Sequence, residues 1–270
     1  MPHKYVQIEG VATYLHHRGP TTLPEAAPEA ARGEVVVALH DVGANGAHFD
    51  ELLDALCGRH SPMAFDQPGH GRSGGLDSLG DVVAMADFAL NLVRKLGLRP
   101  VVWLGEGLGA AVALEAARLG PESTRAVVLC SPPAAGAVTA EAIAALDRVV
   151  AGRDRRQFDT SGFAEGTSRA VFGRAFGEWL KTDPRVSVGD LRALAAWNGD
   201  DALSALDGPC LVVRGEADAG SGAEAVAARV RGAEAVSLPG VGRHLALEAP
   251  QELASAVDDF LARTFGEASS

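Results

Sequence analysis

The sequence predicts an α/β fold in which a mainly parallel sheet carries helices on both faces. Short β-rich runs alternate along the chain with longer helical patterns, and this alternation is typical of βαβ units. A length of 270 residues is sufficient to bury a large core within one α/β domain. Hydrophobic residues at 47% and charged residues at 22% are ordinary for a globular protein, so no fibrous or disordered class is indicated.

Eight segments have the composition of strands. The first two flank Gly10 and predict an antiparallel hairpin. Helical patterns separate most of the others, and a long amphipathic helix is predicted from about Leu79 to Leu96, with Gly97 as its C-cap. The predicted strands are residues 6–8, 11–15, 35–40, 62–66, 101–104, 126–130, 210–214 and 235–238, and the other predicted helices are 49–56, 110–117, 223–230 and 250–264.

The net charge of the chain restricts the classes of partner that it can bind. The formal net charge of −11 argues against a nucleic-acid or anionic-membrane partner, because both need clustered Lys and Arg. No run reaches the roughly 18 apolar residues of a membrane span, and the first residues lack the apolar core of a signal peptide. The three cysteines lie far apart without a C-x-x-C spacing, which indicates reduced thiols. We expect a cytoplasmic monomer or homodimer that binds a small molecule.

The middle of the chain has a different character. After Pro132 and Pro133, the pattern is helical and irregular, and it carries Trp179, Trp197 and four of the nine phenylalanines. This stretch is too long for a plain connection between two strands. We therefore predict a core domain of residues 1–133 and 207–270 and a helical cap of residues 134–206 over the strand ends, where Trp179 and Trp197 are candidates for lining a pocket.

The pentapeptide Gly105–Gly109 is the most informative motif. It follows the apolar run Val101–Leu104 and precedes the small-residue stretch Ala110–Ala117, which predicts a strand, a sharp turn and a helix. This is the setting of the Gly-x-Ser-x-Gly nucleophile elbow, where glycines permit a strained turn. The serine position holds Gly107, which has no side chain.

From about Val6 to Leu261, the chain resembles the α/β-hydrolase fold family. The resemblance implies an eight-stranded, mainly parallel sheet with helices on both faces and an inserted helical cap. It also implies a nucleophile, acid and base in the chain order Gly107, Asp218, His244. The matching motifs are the pentapeptide, the D-x-x-G-x-G-x-S loop at Asp66–Ser73, His40 of the H-G motif with Asp41 in place of glycine, the acid loop Gly215–Asp218, and the histidine loop Leu238–His244 followed by Glu248 and Pro250.

The missing hydroxyl changes the chemistry that the resemblance implies. Without a serine at position 107, no acyl-serine intermediate can form. The backbone N–H groups of Val42 and Leu108 are the candidates for an oxyanion hole, and the helix N-terminus after Gly107 adds a positive dipole end. What remains suits the stabilisation of an anion and the transfer of protons.

Glu106 and Asp41 also depart from the family's pattern. Glu106 is a candidate general base whose pKa burial would raise, or it turns toward the helix and pairs elsewhere. Asp41 could face the site and contact the substrate, or repel anions from it. Ser131, at a strand end before two prolines, could face the site or serve only as a turn residue.

The histidine loop leaves an alternative open. Counted back from Pro250, the family's histidine position falls on Arg243, with His244 one residue later. Either His244 reaches Asp218 as a base, or Arg243 forms an ion pair with Asp218 and binds a carboxylate of the substrate.

Three functional hypotheses follow. The first is an enzyme without a covalent nucleophile, in which Asp218 and His244, with Glu106, transfer protons or activate water in the cyclisation, C–C cleavage, decarboxylation or hydrolysis of a small carbonyl compound. The second is an inactive ligand-binding protein or receptor. The third is an ordinary esterase with serine replaced by glycine at position 107. No metal and no cofactor are expected, because the sequence has no clustered ligands, no dinucleotide-binding glycine loop and no Walker loop.

Overall fold

The structure is a computed structural model, and it describes residues 3–20, 27–28, 30–98 and 100–266. Within these residues, eight strands form a single sheet. The strands are β1 (His3–Ile8), β2 (Val11–His17), β3 (Val35–Leu39), β4 (Ser61–Phe65), β5 (Val101–Glu106), β6 (Thr124–Cys130), β7 (Cys210–Gly215) and β8 (Glu234–Leu238).

The sheet has the order β1-β2-β4-β3-β5-β6-β7-β8. β1 and β2 form the predicted antiparallel hairpin, with Ile8 opposite Val11, and β2 is also antiparallel to β4. All other neighbours, from β4 to β8, run parallel. The predicted fold class, a mainly parallel eight-stranded sheet with helices, is therefore confirmed.

Ten α-helices accompany the sheet in the described part of the chain. The helix predicted from Leu79 begins later, at Val82, because the carboxylate of Asp81 accepts a hydrogen bond from the N–H of Ala84 (2.8 Å) and caps the helix there. The helices are α1 (Asp50–Leu56), α2 (Val82–Lys95), α3 (Leu108–Leu119), α4 (Ala140–Val150), α5 (Arg169–Lys181), α6 (Pro184–Ala196), α7 (Asp200–Ala205), α8 (Ala223–Arg229), α9 (Leu245–Glu248) and α10 (Pro250–Phe265), with 3₁₀ helices at Gly46–Phe49 and Pro121–Ser123.

The core lies on both faces of the sheet. Val35, Val37 and Leu39 of β3 pack on one side with α2 and α3, whereas Val36 and Ala38 pack on the other with α1 and α10. Burial on both faces explains why the parallel strands are continuous apolar runs rather than alternating ones. It also fixes the carboxyl ends of β3, β5, β6 and β7 side by side, where the candidate site lies.

The segment between β6 and β7 contains α4 to α7, and buried carboxylates fasten it to the rest of the molecule. Asp190 of α6 is fully buried and accepts hydrogen bonds from the N–H of Gly43 (2.8 Å), from Ser78 Oγ (2.6 Å) and from His70 Nε2 (2.9 Å). Trp197 donates its indole N–H to Glu115 of α3 (2.8 Å). The division into a core domain and a cap of residues 134–206 stays a prediction.

A second anchor joins this segment to α9, which follows β8. Glu248 accepts hydrogen bonds from the N–H of Ala164 (2.9 Å) and from Thr167 Oγ1 (2.7 Å). Across residues 3–20, 27–28, 30–98 and 100–266, none of the helices is both long enough and apolar enough to cross a membrane.

Candidate active site

Two adjoining cavities lie at the carboxyl ends of β3, β5 and β7. Their volumes are about 1020 and 900 Å³, and they share lining residues from the β3 loop and from the segment between β6 and β7. Asp41, Trp179 and Arg243 border both cavities. His48, Asp218 and His244 line the larger cavity, whereas Gly107, Leu108 and Ser131 line the smaller one.

Gly107 forms the sharp turn between β5 and α3. Its φ of 57° and ψ of −117° lie in a region that residues with a Cβ rarely adopt. Gly105 and Gly109 make close approaches as well, since a Cβ on either would collide with backbone atoms of the turn or of β3. The pentapeptide thus folds as the strand, turn and helix that its glycines predict.

The carboxylate of Asp41 fills the space above this turn. A Cβ on Gly107 would overlap the Cγ and both oxygens of Asp41. Asp41 Oδ1 accepts hydrogen bonds from the N–H of Val42 (2.8 Å) and from the N–H of Leu108 (2.7 Å). These are the two N–H groups that the sequence suggests for an oxyanion hole, so the protein supplies its own anion to them.

Glu106 is completely buried and lies beneath the turn. His48 Nε2 donates a hydrogen bond to Glu106 Oε1 (2.5 Å), and the N–H of Ala246 donates to Oε2 (3.0 Å). His244 Nδ1 lies 3.9 Å from Oε1. Glu106 borders neither cavity, so it reaches a ligand only through His48 and His244.

Attraction between the carboxylate of Glu106 and the neighbouring histidines shifts the pKa values of these buried side chains. Burial alone would raise the pKa of Glu106, but the two histidines and the N–H of Ala246 bring it below its ordinary value. The expected rise for a general base is therefore not found. For His48, burial opposes the positive charge, but the carboxylate of Glu106 outweighs it and raises the pKa. Burial lowers the pKa of His244.

Asp218 lies beside Arg243 in the structure. Arg243 Nε is 3.9 Å from Asp218 Oδ1, which also accepts a hydrogen bond from the N–H of Gly220 (3.1 Å). Asp218 Oδ2 is buried without a hydrogen-bond partner among the described residues. His244 instead faces Glu106, with its ring against Phe163 at a centroid distance of 4.4 Å. Of the two alternatives for the partner of Asp218, the structure has Arg243.

The remaining candidates take different positions. Ser131 is buried at the end of β6 with a φ of 41°, and its Oγ has no partner among the described residues. Trp179 stacks under the guanidinium of Arg156 at 4.0 Å and lines both cavities. Trp197 lines neither cavity and is held by Glu115.

Sequence reasoning missed His48. It stands on the 3₁₀ helix Gly46–Phe49, which Asn45 caps by accepting a hydrogen bond from the N–H of Ala47 (3.0 Å). No motif marks this histidine, and its link to Glu106 is created by the fold alone. The sequence also offers no clustered metal ligands, yet the ligand atoms of His48, Glu106 and His244 lie within 4.8 Å of one another. Among the residues that the structure describes, these three are the group that could hold a metal ion.

Comparison with known proteins agrees with this architecture. Pimeloyl-[acyl-carrier protein] methyl ester esterase of Methylococcus capsulatus is 36% identical over 109 residues, which are 38% of this chain and 39% of that protein. 2-(Acetamidomethylene)succinate hydrolase of Mesorhizobium japonicum is 31% identical over 100 residues, 37% and 36% of the two chains. These matches thus span less than two fifths of the relatives' own length. A longer match, to 3-hydroxybutyrate-oligomer hydrolase of Cupriavidus necator, is 28% identical over 265 residues, 86% of this chain and 90% of that protein.

Solved structures share the fold over nearly the whole chain. A thermophilic esterase from Thermogutta terrifontis superposes with a TM-score of 0.82 at 21% identity, covering 98% of this chain and 99% of that one. The structure of E-2-(acetamidomethylene)succinate hydrolase superposes with a TM-score of 0.73 at 21% identity, covering 96% and 98%. The profile of the family described as "Alpha/beta hydrolase family" matches residues 36–256, which is more than half of the chain. The chain therefore belongs to the alpha/beta hydrolase family.

Proposed function

We propose that this chain is an enzyme that hydrolyses a small carbonyl compound with water as the attacking group and without a serine nucleophile. The observation that carries the proposal is the position of Asp41, whose carboxylate stands over Gly107 where a nucleophile's side chain would project. Gly107 is then the nucleophile position of the elbow, and its glycine leaves room for Asp41. Residues 134–206 are the cap that separates the site from bulk solvent.

Asp41 is the base in this scheme. The N–H groups of Val42 and Leu108 both bind its Oδ1, which fixes the carboxylate and leaves Oδ2 for a ligand. A water bound at Oδ2 gives its proton to this oxygen, and the resulting hydroxide attacks the carbonyl carbon of the substrate. Because the carboxylate already occupies the two N–H groups, a second group must stabilise the negative charge that develops on the substrate oxygen.

Arg243 supplies that positive charge. It is half-buried, lines both cavities next to Asp41, and is oriented by Asp218. A guanidinium binds a carboxylate or a developing oxyanion well and does not act as a base near neutral pH. The proton that Asp41 Oδ2 takes from the water passes to the leaving oxygen or nitrogen, and His244, which lines the larger cavity, contacts the leaving group. Glu106 and His48 act as positioning residues behind it.

Among the reactions that fit a site without a serine, the relatives favour hydrolysis. The names of the similar proteins are those of a methyl ester esterase, a 2-(acetamidomethylene)succinate hydrolase and a 3-hydroxybutyrate-oligomer hydrolase. Cyclisation, C–C cleavage and decarboxylation use the same base and cation but have no support of this kind. The substrate class we propose is a small ester or amide with a carboxylate or carbonyl that Arg243 binds.

A ligand-binding protein without turnover is the second candidate. It is favoured by Arg243, which stands next to Asp218 where a base would be needed for an ordinary triad. An esterase with a single serine-to-glycine replacement is a weaker candidate, because Asp41 and Arg243 also depart from the family's pattern.

The test combines an activity screen with a serine-directed probe. A fluorophosphonate should leave the native protein unlabelled while small esters and lactones are hydrolysed. Asp41→Asn should lower kcat by about 10²–10⁴-fold, the usual effect of removing a general base. Asp87→Asn, an exposed change on α2, is the matched control and should leave kcat unchanged. Labelling by the probe would overturn the proposal, and ligand binding without turnover would favour the second candidate.

A further inference from the structure

The group of His48, Glu106 and His244 brings two imidazoles and one carboxylate to one buried point beside the larger cavity. We propose that these three side chains form a binding site for one divalent transition-metal cation of the zinc class. The ligands would be His48 Nε2, Glu106 Oε1 and His244 Nδ1.

The distances suit a cation without large movements. Nitrogen and oxygen ligands lie about 2.0–2.2 Å from zinc, so two ligands at a tetrahedral angle are roughly 3.4 Å apart. His48 Nε2 is 2.5 Å from Glu106 Oε1, and His244 Nδ1 is 3.9 Å from it. The two separations bracket the required value. An inserted cation replaces the hydrogen bond between His48 and Glu106, with small side-chain shifts in opposite directions.

His244 provides an independent indication of a missing ligand. Its Nδ1 is buried, has no hydrogen-bond partner among the described residues and points toward Glu106. A buried ring nitrogen without a partner carries a desolvation cost, so it normally has one. The ring is fixed by Phe163 on its face and by the closeness of its Nε2 to Gly162. A cation between Nδ1 and Oε1 would satisfy this nitrogen.

The supports behind the ligands also resemble those of a metal site. Glu106 Oε2 accepts the N–H of Ala246, which leaves Oε1 as the oxygen directed at the histidines. The three ligands come from the end of β5, from the 3₁₀ helix capped by Asn45, and from the residue before α9. In functional metal sites, hydrogen bonds typically orient the coordinating side chains, and rigid elements carry these side chains.

The charge of the adjoining cavity favours a cation. Seven carboxylates and two arginines, Arg174 and Arg243, are among the residues that line the larger cavity. A cleft with an excess of one charge concentrates ions of the opposite sign. Two imidazoles with one carboxylate suit zinc, iron, cobalt or nickel rather than magnesium or calcium, which prefer oxygen ligands alone. The binding of the cation does not depend on the proposed function. A role of the cation in polarising water or the substrate rests on that function.

Metal titration of the 270-residue chain tests the proposal. The protein is dialysed against a chelator and then titrated with Co²⁺, followed by its visible absorption, and with Zn²⁺, followed by calorimetry. The test variants are Glu106→Gln, which keeps the shape of the buried side chain, and His244→Ala, which changes a partly exposed one. Glu51→Gln removes another carboxylate of the same cavity, and His60→Gln removes a buried histidine that pairs with Asp258 elsewhere. Circular dichroism and thermal melting check that every variant is folded.

We expect one metal ion per chain in the native protein and in both controls. Each test variant should bind Zn²⁺ at least about tenfold more weakly, since the loss of a direct ligand costs no less than the loss of an outer partner. If His244→Ala folds and binds both ions as tightly as the native protein, the proposal is wrong. It is equally wrong if the native protein takes up neither ion, and the pair of His48 and Glu106 is then a structural ion pair. Fluorophosphonate labelling would overturn the proposed function without changing these affinities.

Discussion

The carboxylate of Asp41 occupies the volume that a side chain on Gly107 would need. The two residues come from different strand ends, and each accounts for the other: Asp41 needs a glycine beneath it, and Gly107 needs an anion above it for the N–H groups of Val42 and Leu108. Two residues that lie far apart along the chain are thus one structural unit.

This relationship is measurable as a coupling energy. Gly107→Ala should destabilise the protein by a few kcal/mol, because a positive φ costs about 1–3 kcal/mol for such a residue and overpacking against Asp41 about 1–3 kcal/mol more. Adding Asp41→Gly should recover the overpacking part and leave the backbone strain. Urea unfolding of the two single variants and the double variant gives the coupling. Additive effects would show that the two side chains do not share the space.

Building a serine triad at this turn should require three changes rather than one. Gly107→Ser with Asp41→Gly introduces a serine hydroxyl and frees the two N–H groups, but His244 still faces Glu106 rather than Asp218. Arg243→His then places an imidazole beside Asp218. We expect the triple variant to hydrolyse p-nitrophenyl acetate at least about 10²-fold faster than the double variant, since the histidine is the base that activates serine.

The control for this experiment is fluorophosphonate labelling of the same two variants, which reports an activated serine directly. Equal rates and equal labelling of the double and triple variants would mean that His244 already activates a serine placed at position 107. That result would contradict the assignment of Arg243 to the partner position of Asp218.

The fold and the turn could be predicted from the sequence because their signals are local. The glycines of Gly105–Gly109 and the apolar strand before them fix the strand, the turn and the helix wherever the chain goes next. The pairing of side chains could not be predicted in the same way. His48 reaches Glu106 only through the packing of a 3₁₀ helix against the sheet, and Asp41 turns inward only because two backbone N–H groups meet there.

The one-residue offset between Arg243 and His244 illustrates the same limit. Counting from Pro250 indicates which residue matches the family's histidine, but the direction of each side chain depends on the loop. In the structure the N–H of Arg243 donates to the carbonyl of Gly162 (2.6 Å) and its side chain extends to Asp218, so the next residue turns toward Glu106. A contact with the segment between β6 and β7 therefore decides a feature of the site.

Glu248, the second anchor of the segment between β6 and β7, should be needed to keep that segment ordered. Glu248 accepts hydrogen bonds from Ala164 and Thr167, and Glu248→Ala leaves these groups without a charged partner. We expect a loss of about 1–3 kcal/mol in the free energy of unfolding and faster proteolysis between β6 and β7. Thr167→Val removes only one of the bonds and should cost less. If both variants resist protease as the native protein does, Glu248 does not hold the segment.

The pair of Asp190 and His70 should make stability depend on pH in two directions. Burial alone would raise the pKa of Asp190, but His70, Ser78 and the N–H of Gly43 bring it below 3.8. Its contribution to stability is therefore complete above about pH 4 and is lost as the pH falls through the lowered pKa. For His70, burial opposes the charge but Asp190 raises the pKa above 6.5. This contribution is complete below pH 6.5 and is lost as the pH rises through the raised pKa.

Asp190→Asn tests this dependence, because it removes the charge and keeps the shape of the side chain. The native protein should exceed the variant in free energy of unfolding most strongly between about pH 4 and 6.5, and the difference should shrink above that range as His70 loses its proton. Burial and the neighbouring His70 lower the pKa of His40 to about 4, so unfolding takes up a proton at His40 between about pH 4 and 6.5 in both proteins, and this dependence cancels in the difference between them. Ser78→Ala also removes a hydrogen bond to Asp190 but no titrating group, so its effect should vary little over a measured range of roughly pH 5 to 9. Urea unfolding of the three proteins over that range tests the prediction. If the difference in free energy of unfolding between the native protein and Asp190→Asn stays constant with pH, His70 does not titrate against Asp190.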